Sequence, residues 1–243
     1  MREKTALETK LAWKAYYESL AEGDESGVFK EEFSKYVGTH TWNNSVRVIN
    51  EYGAINDGDS VLDAGCGWGR MLLGLLEKHH DLNVTAVDLT AEALKTGENI
   101  IGNNRNGNKI NWISGDLQNL ELADESFDVV YSSRVLQHLN APEKGVSELM
   151  RVLKKNGRFV FFLQNKLCPL NYSYYSRLYT PFQVRNWFSG LDTHELHVAS
   201  MDFYPHFIKM GLSEQSQLNF ERVLEKFPLL NLLGGKVLVW GTK

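Results

Sequence analysis

The segment Val61-Leu-Asp-Ala-Gly-Cys-Gly-Trp-Gly-Arg70 joins a short apolar strand, an acidic residue and a glycine-rich turn. Because glycine has no Cβ, three glycines let the backbone turn tightly and approach a ligand closely. They are Gly65, Gly67 and Gly69. Apolar residues then follow at helical spacing, namely Met71, Leu72, Leu75 and Leu76. The segment therefore predicts a strand, a turn and a helix that together form a nucleotide-type cofactor pocket.

The charge beside this turn separates two kinds of cofactor. A dinucleotide site presents a helix N-terminus to a pyrophosphate, and a nearby carboxylate would repel the negatively charged pyrophosphate. Asp63 lies two residues before Gly65, and Arg70 occupies the place of the third glycine in the dinucleotide fingerprint. A carboxylate here favours a cationic ligand, such as the ammonium and sulfonium groups of S-adenosylmethionine.

The pattern Asp63-x-Gly65-x-Gly67-x-Gly69 resembles the first motif of the class I S-adenosylmethionine-dependent methyltransferases. The resemblance implies an α/β fold with a doubly wound, Rossmann-like sheet of about seven strands. Most strands are expected to be parallel, with an antiparallel last strand, Lys236 to Gly241, inserted beside the fifth, Phe159 to Leu163. Around the turn, it implies cofactor contacts from six residues: Asp63, Gly65, Cys66, Gly67, Gly69 and Arg70.

A second acid follows at the spacing that this family would require. Residues Asn83 to Asp88 read as a strand that ends in a carboxylate 19 residues after Gly69. A carboxylate at that position accepts hydrogen bonds from the ribose hydroxyls. Asp88 and the following Leu89 are therefore expected to contact the cofactor.

A third acid and a fourth strand complete the pattern. Lys109 to Ser114 reads as a strand, and Asp116 and Leu117 after it resemble the family's adenine contact. Phe127 to Ser132 reads as the fourth strand, whose end lies over the methionine part of the cofactor in the family. Ser132 is therefore expected to contact the cofactor as well.

His138 is the candidate catalytic residue, because it follows the fourth strand closely. Methyl transfer to a neutral amine can proceed by positioning alone, whereas a hydroxyl acceptor usually needs a general base. The family commonly carries a structural histidine at this place, so both roles remain open.

Composition restricts compartment and partners. The chain has 243 residues, a formal net charge of −4 and two cysteines. These cysteines, Cys66 and Cys168, form no disulfide framework or metal-ligand pattern, which favours the reducing cytoplasm and no bound metal. No apolar run is long enough to span a bilayer. The acidic balance makes nucleic acid a disfavoured substrate and favours a small molecule; the oligomeric state stays open.

The chain is expected to form a single domain in three parts. Residues 1–53 are predicted to be a helical cap, residues 57–163 the cofactor-binding half and residues 164–243 the substrate-side half. In the last part, four tyrosines suggest either an aromatic lid over the acceptor or a simple cover for the sheet: Tyr172, Tyr174, Tyr175 and Tyr179.

Local signals also predict where three helices begin. Thr90 is a fair N-cap, and residues 140–143 read as a capping box opening a helix that runs to Leu153. Thr180 and Pro181 read as the N-cap and first residue of a helix to about Phe188.

The sequence thus predicts a methyltransferase that moves a methyl group to a hydroxyl or amine of a small molecule, such as a natural product or saccharide. Two alternatives remain at this stage. A nicotinamide-dependent oxidoreductase would use the same strand order, and a catalytically silent partner subunit would keep the acids that hold the cofactor.

Overall fold

The computed structural model describes residues 40–169, 171, 177–203, 213–224 and 232–243. The helices expected within residues 1–39 lie outside these residues, as do Tyr172, Tyr174 and Tyr175. Within the described ranges, no helix has both the length and the apolar character needed to cross a membrane.

The described elements alternate between strand and helix along the cofactor half. The strands are β1 Ser60–Ala64, β2 Asn83–Asp88, β3 Asn104–Arg105, β4 Asn108–Ser114, β5 Phe127–Ser133, β6 Leu153–Gln164, β7 Glu195–Met201 and β8 Lys236–Thr242. The α-helices are α1 His40–Gly53, α2 Arg70–Leu76, α3 Ala91–Ile101, α4 Pro142–Val152, α5 Pro181–Asn186 and α6 Glu214–Leu224. A short 3₁₀ helix covers Leu136–His138.

All these strands belong to one sheet in the order β3-β4-β2-β1-β5-β6-β8-β7. Strands β4, β2, β1, β5 and β6 are parallel neighbours, and β8 lies antiparallel between β6 and β7. The predicted Rossmann-like sheet is thereby confirmed. So is its antiparallel last strand β8, which pairs with the fifth predicted strand, Phe159 to Leu163, within β6. Parallel strands end at one edge, which is where ligands bind in such sheets.

The sheet has one strand more than the seven expected from the sequence, and the additional strand is β3. It pairs with the start of β4 across a turn at Asn106 and Gly107, whose φ angles are 52° and 80°. An Asn-Gly pair with two positive φ angles is typical of a tight hairpin, and this signal was present in the sequence.

Helix α1 is fixed against α2 by close packing at Gly74. A Cβ at Gly74 would lie 2.6 Å from Val46 Cγ2 and 2.9 Å from Trp42 Cζ2. The Trp42 indole N–H also donates to the Arg70 carbonyl at 2.9 Å. The beginning of α1 is therefore held beside the helix that follows the glycine turn.

A buried ion pair joins α1 to the last two strands. The Lys236 ammonium lies 2.7 Å from Asp202 Oδ2 and donates to Ser45 Oγ at 2.9 Å. Asn44 donates to the other oxygen of Asp202 at 2.8 Å. Since Lys236 pairs with Gln164 at the end of β6, this network lies at the carboxyl edge of the parallel strands.

The structure bears on all three predicted helix starts. Thr180 and Gln183 form a reciprocal capping box with Pro181 at the first turn, which confirms the start of α5. The capping box at residues 140–143 is wrong: α4 begins after Ala141, with no side-chain cap. The Ala141 N–H instead donates to the Gln118 side chain at 3.0 Å, which ties this loop to a neighbouring segment. Thr90 occupies the N-cap of α3, but its side chain makes no capping bond.

Candidate cofactor-binding site

The glycine turn is held against the end of β2. The N–H groups of Gly65 and Cys66 both donate to the Val87 carbonyl, at 2.7 and 2.9 Å. Gly65, Gly67 and Gly69 have φ angles of 79°, 54° and 79°, which residues other than glycine rarely adopt. A Cβ at Gly67 would meet no atom within 4 Å, so the turn leaves open space at that carbon.

The Asp88 carboxylate is bonded to the turn by backbone groups. Its Oδ2 accepts from Gly67 N–H at 2.8 Å, and its Oδ1 accepts from Thr90 N–H at 2.9 Å. Burial raises the pKa of Asp88, although these hydrogen bonds act to lower it. Each carboxylate oxygen has two lone pairs, so both can still accept from ribose hydroxyls.

Asp63 is the most deeply buried acid of the site, with a relative exposure of 1%. Its Oδ2 has no hydrogen-bond partner among the described residues. Burial raises the pKa of Asp63 to about 7; the Tyr131 hydroxyl lowers it and the Asp88 charge raises it further. An unsatisfied carboxyl oxygen of this kind fits a cationic ligand, because an opposite charge would favour its ionised form.

Cys66 lies within the turn, and Arg70 follows it directly as the first residue of α2. Burial raises the pKa of the Cys66 thiol well above its usual range, and the Asp63 and Asp88 charges raise it further. The thiol is therefore neutral and not activated as a nucleophile. The Arg70 guanidinium lies over the Trp68 ring, 4.9 Å from its centroid.

The third acid lies next to the second at the same edge. The Gly115 N–H donates to the Asp88 carbonyl at 2.9 Å, which brings the loop carrying Asp116 beside β2. Asp116 is half-buried, and its Oδ1 accepts from Gln118 N–H at 3.0 Å. Leu89 is half-buried near this edge, whereas Leu117 is 4% exposed and packs in the hydrophobic core.

The Ser132 side chain, expected to contact the cofactor, makes a bond within the sheet. Its hydroxyl is fully buried and donates to the Ala64 carbonyl at 2.9 Å. Alternation along β5 turns this side chain into the sheet's core, where it links β5 to β1. The neighbouring Ser133, which is half-buried, ends the strand at the ligand edge.

His138 ends the 3₁₀ helix after β5. Burial, with the nearby Arg134 charge, lowers its pKa from the ordinary 6.5 to about 4, although a hydrogen bond to the Arg134 backbone raises it. The imidazole is thus neutral near pH 7, and it is a weak base.

We expect His138 to make folding less favourable in acid. The unfolded chain takes up this proton near pH 6.5 and the folded chain only near pH 4, so stability falls as the pH falls through that window. Denaturant unfolding between about pH 4 and 8 should show a shallower acid loss for His138→Gln than for the wild type. The exposed His80→Gln serves as the control, and an unchanged slope in His138→Gln would contradict the assignment.

Tyr131 is the residue of this site that sequence reasoning missed. It lies opposite Asp63 in the parallel register of β5 and β1 and is 0% exposed. The strand was predicted, but the register that brings the two side chains together cannot be read from one strand alone.

Comparison with known proteins identifies the arrangement. Residues 62–161 match the family described as a methyltransferase domain. That range begins inside β1 and ends inside β6, so it contains the turn and all three acids. The chain contains a class I S-adenosylmethionine-dependent methyltransferase domain. This methyltransferase is accordingly an enzyme whose cofactor is S-adenosylmethionine.

Relatives of the methyltransferase act on different acceptor atoms. A ubiquinone/menaquinone biosynthesis C-methyltransferase of Roseobacter denitrificans is 26% identical over 80% of this chain and 84% of its own length. A malonyl-[acyl-carrier protein] O-methyltransferase of Nitrosospira multiformis is 31% identical over 42% of this chain and 38% of its own. The solved phosphoethanolamine N-methyltransferase 2 of Haemonchus contortus, in complex with S-adenosylmethionine, shares the fold at a TM-score of 0.63 and 19% identity, covering 83% and 52% of the two chains.

Proposed function

We propose that this enzyme transfers a methyl group from S-adenosylmethionine to a hydroxyl or amine of a small organic molecule, with an amine the better fit. The observation that carries the proposal is the set of three carboxyl groups placed around one open glycine turn. S-adenosylmethionine, when bound, supplies a methyl group on a positively charged sulfur. The residues of this chain bind and orient it.

Each acid has a proposed partner that suits its surroundings. Asp63, whose Oδ2 lacks a partner in the described structure, would hold the ammonium group. Asp88 would accept from the ribose hydroxyls while its backbone bonds to Gly67 and Thr90 keep it in place. Asp116 would accept from the exocyclic amine of adenine. The open space at Gly67 allows the backbone to lie against the cofactor.

The low basicity of His138 supports an acceptor that does not need a general base. An amine that is already neutral can attack the methyl carbon once it is positioned, and such positioning alone contributes several kcal/mol. Deprotonating a hydroxyl calls for a base whose pKa lies near the working pH. With a pKa of about 4, His138 would orient an acceptor hydroxyl or amine better than it would remove a proton.

Calorimetric titration with S-adenosylmethionine, S-adenosylhomocysteine and NAD tests the cofactor site. We expect the first two to bind, NAD not to bind, and Asp88→Ala to weaken binding by about ten- to a hundred-fold, since a charged hydrogen bond is worth roughly 1.5–3 kcal/mol. A matched control is Asp128→Ala. That acid lies at the opposite end of β5, bonded to Lys154 and to Ser60 N–H, so its loss should leave affinity unchanged.

The outcomes separate cofactor binding from the choice of acceptor. Binding of NAD, or equal affinities for Asp88→Ala and the wild type, would contradict the cofactor site. Turnover in a screen of small amines, hydroxyl compounds and carbon acceptors then tests the acceptor. Methylation of carbon acceptors alone would overturn the hydroxyl-or-amine proposal and leave the cofactor site intact.

A further inference from the structure

Asp63 and Tyr131 form a buried polar pair under the glycine turn. They are direct neighbours in the parallel register of β1 and β5, with relative exposures of 1% and 0%. Neither Asp63 Oδ2 nor the Tyr131 hydroxyl has a hydrogen-bond partner at ordinary distance among the described residues. Buried polar atoms in native proteins are nearly always satisfied, so such a pair calls for an explanation.

The pair lies on the face of the sheet that packs against α1 and α2. Tyr131 belongs to the core cluster that also contains Val61 and Trp42, and strand alternation places Asp63 on the same face as Val61. A ligand that brings positive charge to Asp63 would satisfy the carboxyl group and let the hydroxyl donate to it.

We propose that Tyr131 is a positioning residue for Asp63, and that the pair releases one proton when the cofactor's ammonium group arrives and takes it up again when the cofactor leaves. This inference rests on the proposed cofactor site. In the empty site the proton stays on the carboxyl group, because a buried charge without a counter-ion is costly. In the occupied site the ammonium is that counter-ion, and the Tyr131 hydroxyl donates to the resulting carboxylate.

The surrounding ionisable groups agree with this exchange. Burial raises the pKa of Asp63 to about 7, and the Asp88 charge on β2 adds to the effect. Burial also raises the pKa of Tyr131 well above 10, so its hydroxyl remains a donor. Cys66 stays a neutral thiol for the same reason. On the packed helices, the Arg47 guanidinium is bonded to Glu51 and the Arg70 guanidinium lies over Trp68.

Two consequences distinguish this exchange from simple packing. First, cofactor affinity should fall as the pH drops below about 7, approaching tenfold per unit, because a proton then competes with the ammonium. Second, Tyr131→Phe should shift that fall to higher pH. Phenylalanine keeps the ring but removes the hydroxyl that lowers the pKa of Asp63.

The experiment is calorimetric titration with S-adenosylmethionine near pH 6.5 in two buffers of different ionisation enthalpy, repeated from about pH 6 to 9. The wild type should release most of one proton near pH 6.5. Asp63→Asn should release markedly less; a remainder would come from Asp88, whose pKa is also raised. The ratio of wild-type to Tyr131→Phe affinity should be near one at pH 9 and several-fold at pH 6. The cofactor's own ammonium titrates identically for every variant and cancels in this ratio.

Ser200→Ala is the matched control for loss of a buried hydroxyl. Ser200 lies in the same sheet on β7, is 0% exposed and accepts from Gly234 N–H at 2.9 Å. The ratio of wild-type to Ser200→Ala affinity for the cofactor should therefore not depend on pH. Equal proton release by wild type and Asp63→Asn would overturn the inference, as would a Tyr131→Phe loss that is the same at every pH. If Tyr131→Phe fails to fold, the number of protons that Asp63→Asn releases on binding the cofactor still tests the inference. No binding by the wild type would instead overturn the proposed function.

Discussion

Replacing Lys236 by methionine is expected to lower the free energy of unfolding by about 3–5 kcal/mol, because it leaves a buried carboxylate without its counter-ion. The side chains of Lys236 and Asp202 are only 6% and 3% exposed. Methionine has a similar length, so the lower free energy of unfolding comes from the missing charge and not from a cavity. Urea denaturation followed by circular dichroism measures the change.

An exposed pair provides the matched control for Lys236. Lys154 and Asp128 lie at 2.9 Å but are 39% and 33% exposed, so Lys154→Met should cost only about 0–1 kcal/mol. The double variant Lys236→Met with Asp202→Asn removes both charges and should recover part of the loss, as a buried pair predicts. Equal costs for the two lysine variants would show that burial of the pair does not matter.

Gly65→Ala is expected to be the most damaging change in the cofactor turn. A Cβ at this position would lie 2.3 Å from Val135 Cγ2 and 2.5 Å from Cγ1. Overpacking costs about 1–3 kcal/mol, and the φ of 79° adds roughly 1–2 kcal/mol for a residue with a Cβ. The thermal midpoint should fall by several degrees and cofactor affinity should fall with it.

Gly67→Ala separates folding from binding within the same turn. Its Cβ would meet nothing within 4 Å, so only the φ of 54° opposes the substitution. The thermal midpoint should therefore fall less than for Gly65→Ala, while cofactor affinity should fall because the methyl group fills the open space. Combining Gly65→Ala with Val135→Ala should restore part of the stability. If Gly67→Ala binds S-adenosylmethionine as tightly as the wild type, the cofactor does not lie against that carbon.

The sheet could be predicted from the sequence because its signals are local. Apolar runs with an acid at or just after their ends mark β1, β2 and β4, and Lys236 to Gly241 was expected as the last strand. The β3 hairpin was missed although residues 106 and 107 carry its signal, since a two-residue strand has no periodicity to detect.

The site could be predicted only as far as residue type and spacing carry information. The acids Asp63, Asp88 and Asp116 were found because each lies at or just after the end of an apolar strand. The direction of Ser132 and the neighbour of Asp63 depend on register and burial, which arise only when strands pair. The lowered pKa of His138 likewise comes from burial and Arg134, not from its position in the sequence.

The place of β8 in the sheet has a consequence for biosynthesis. This strand follows the other seven in the sequence, yet it lies between β6 and β7 and pairs with both along their lengths. Until it emerges from the ribosome, β6 exposes an unpaired edge that carries the apolar run Phe159 to Leu163. Unpaired apolar edges recruit other chains, so nascent protein should be most prone to aggregation just before residues 236–242 emerge.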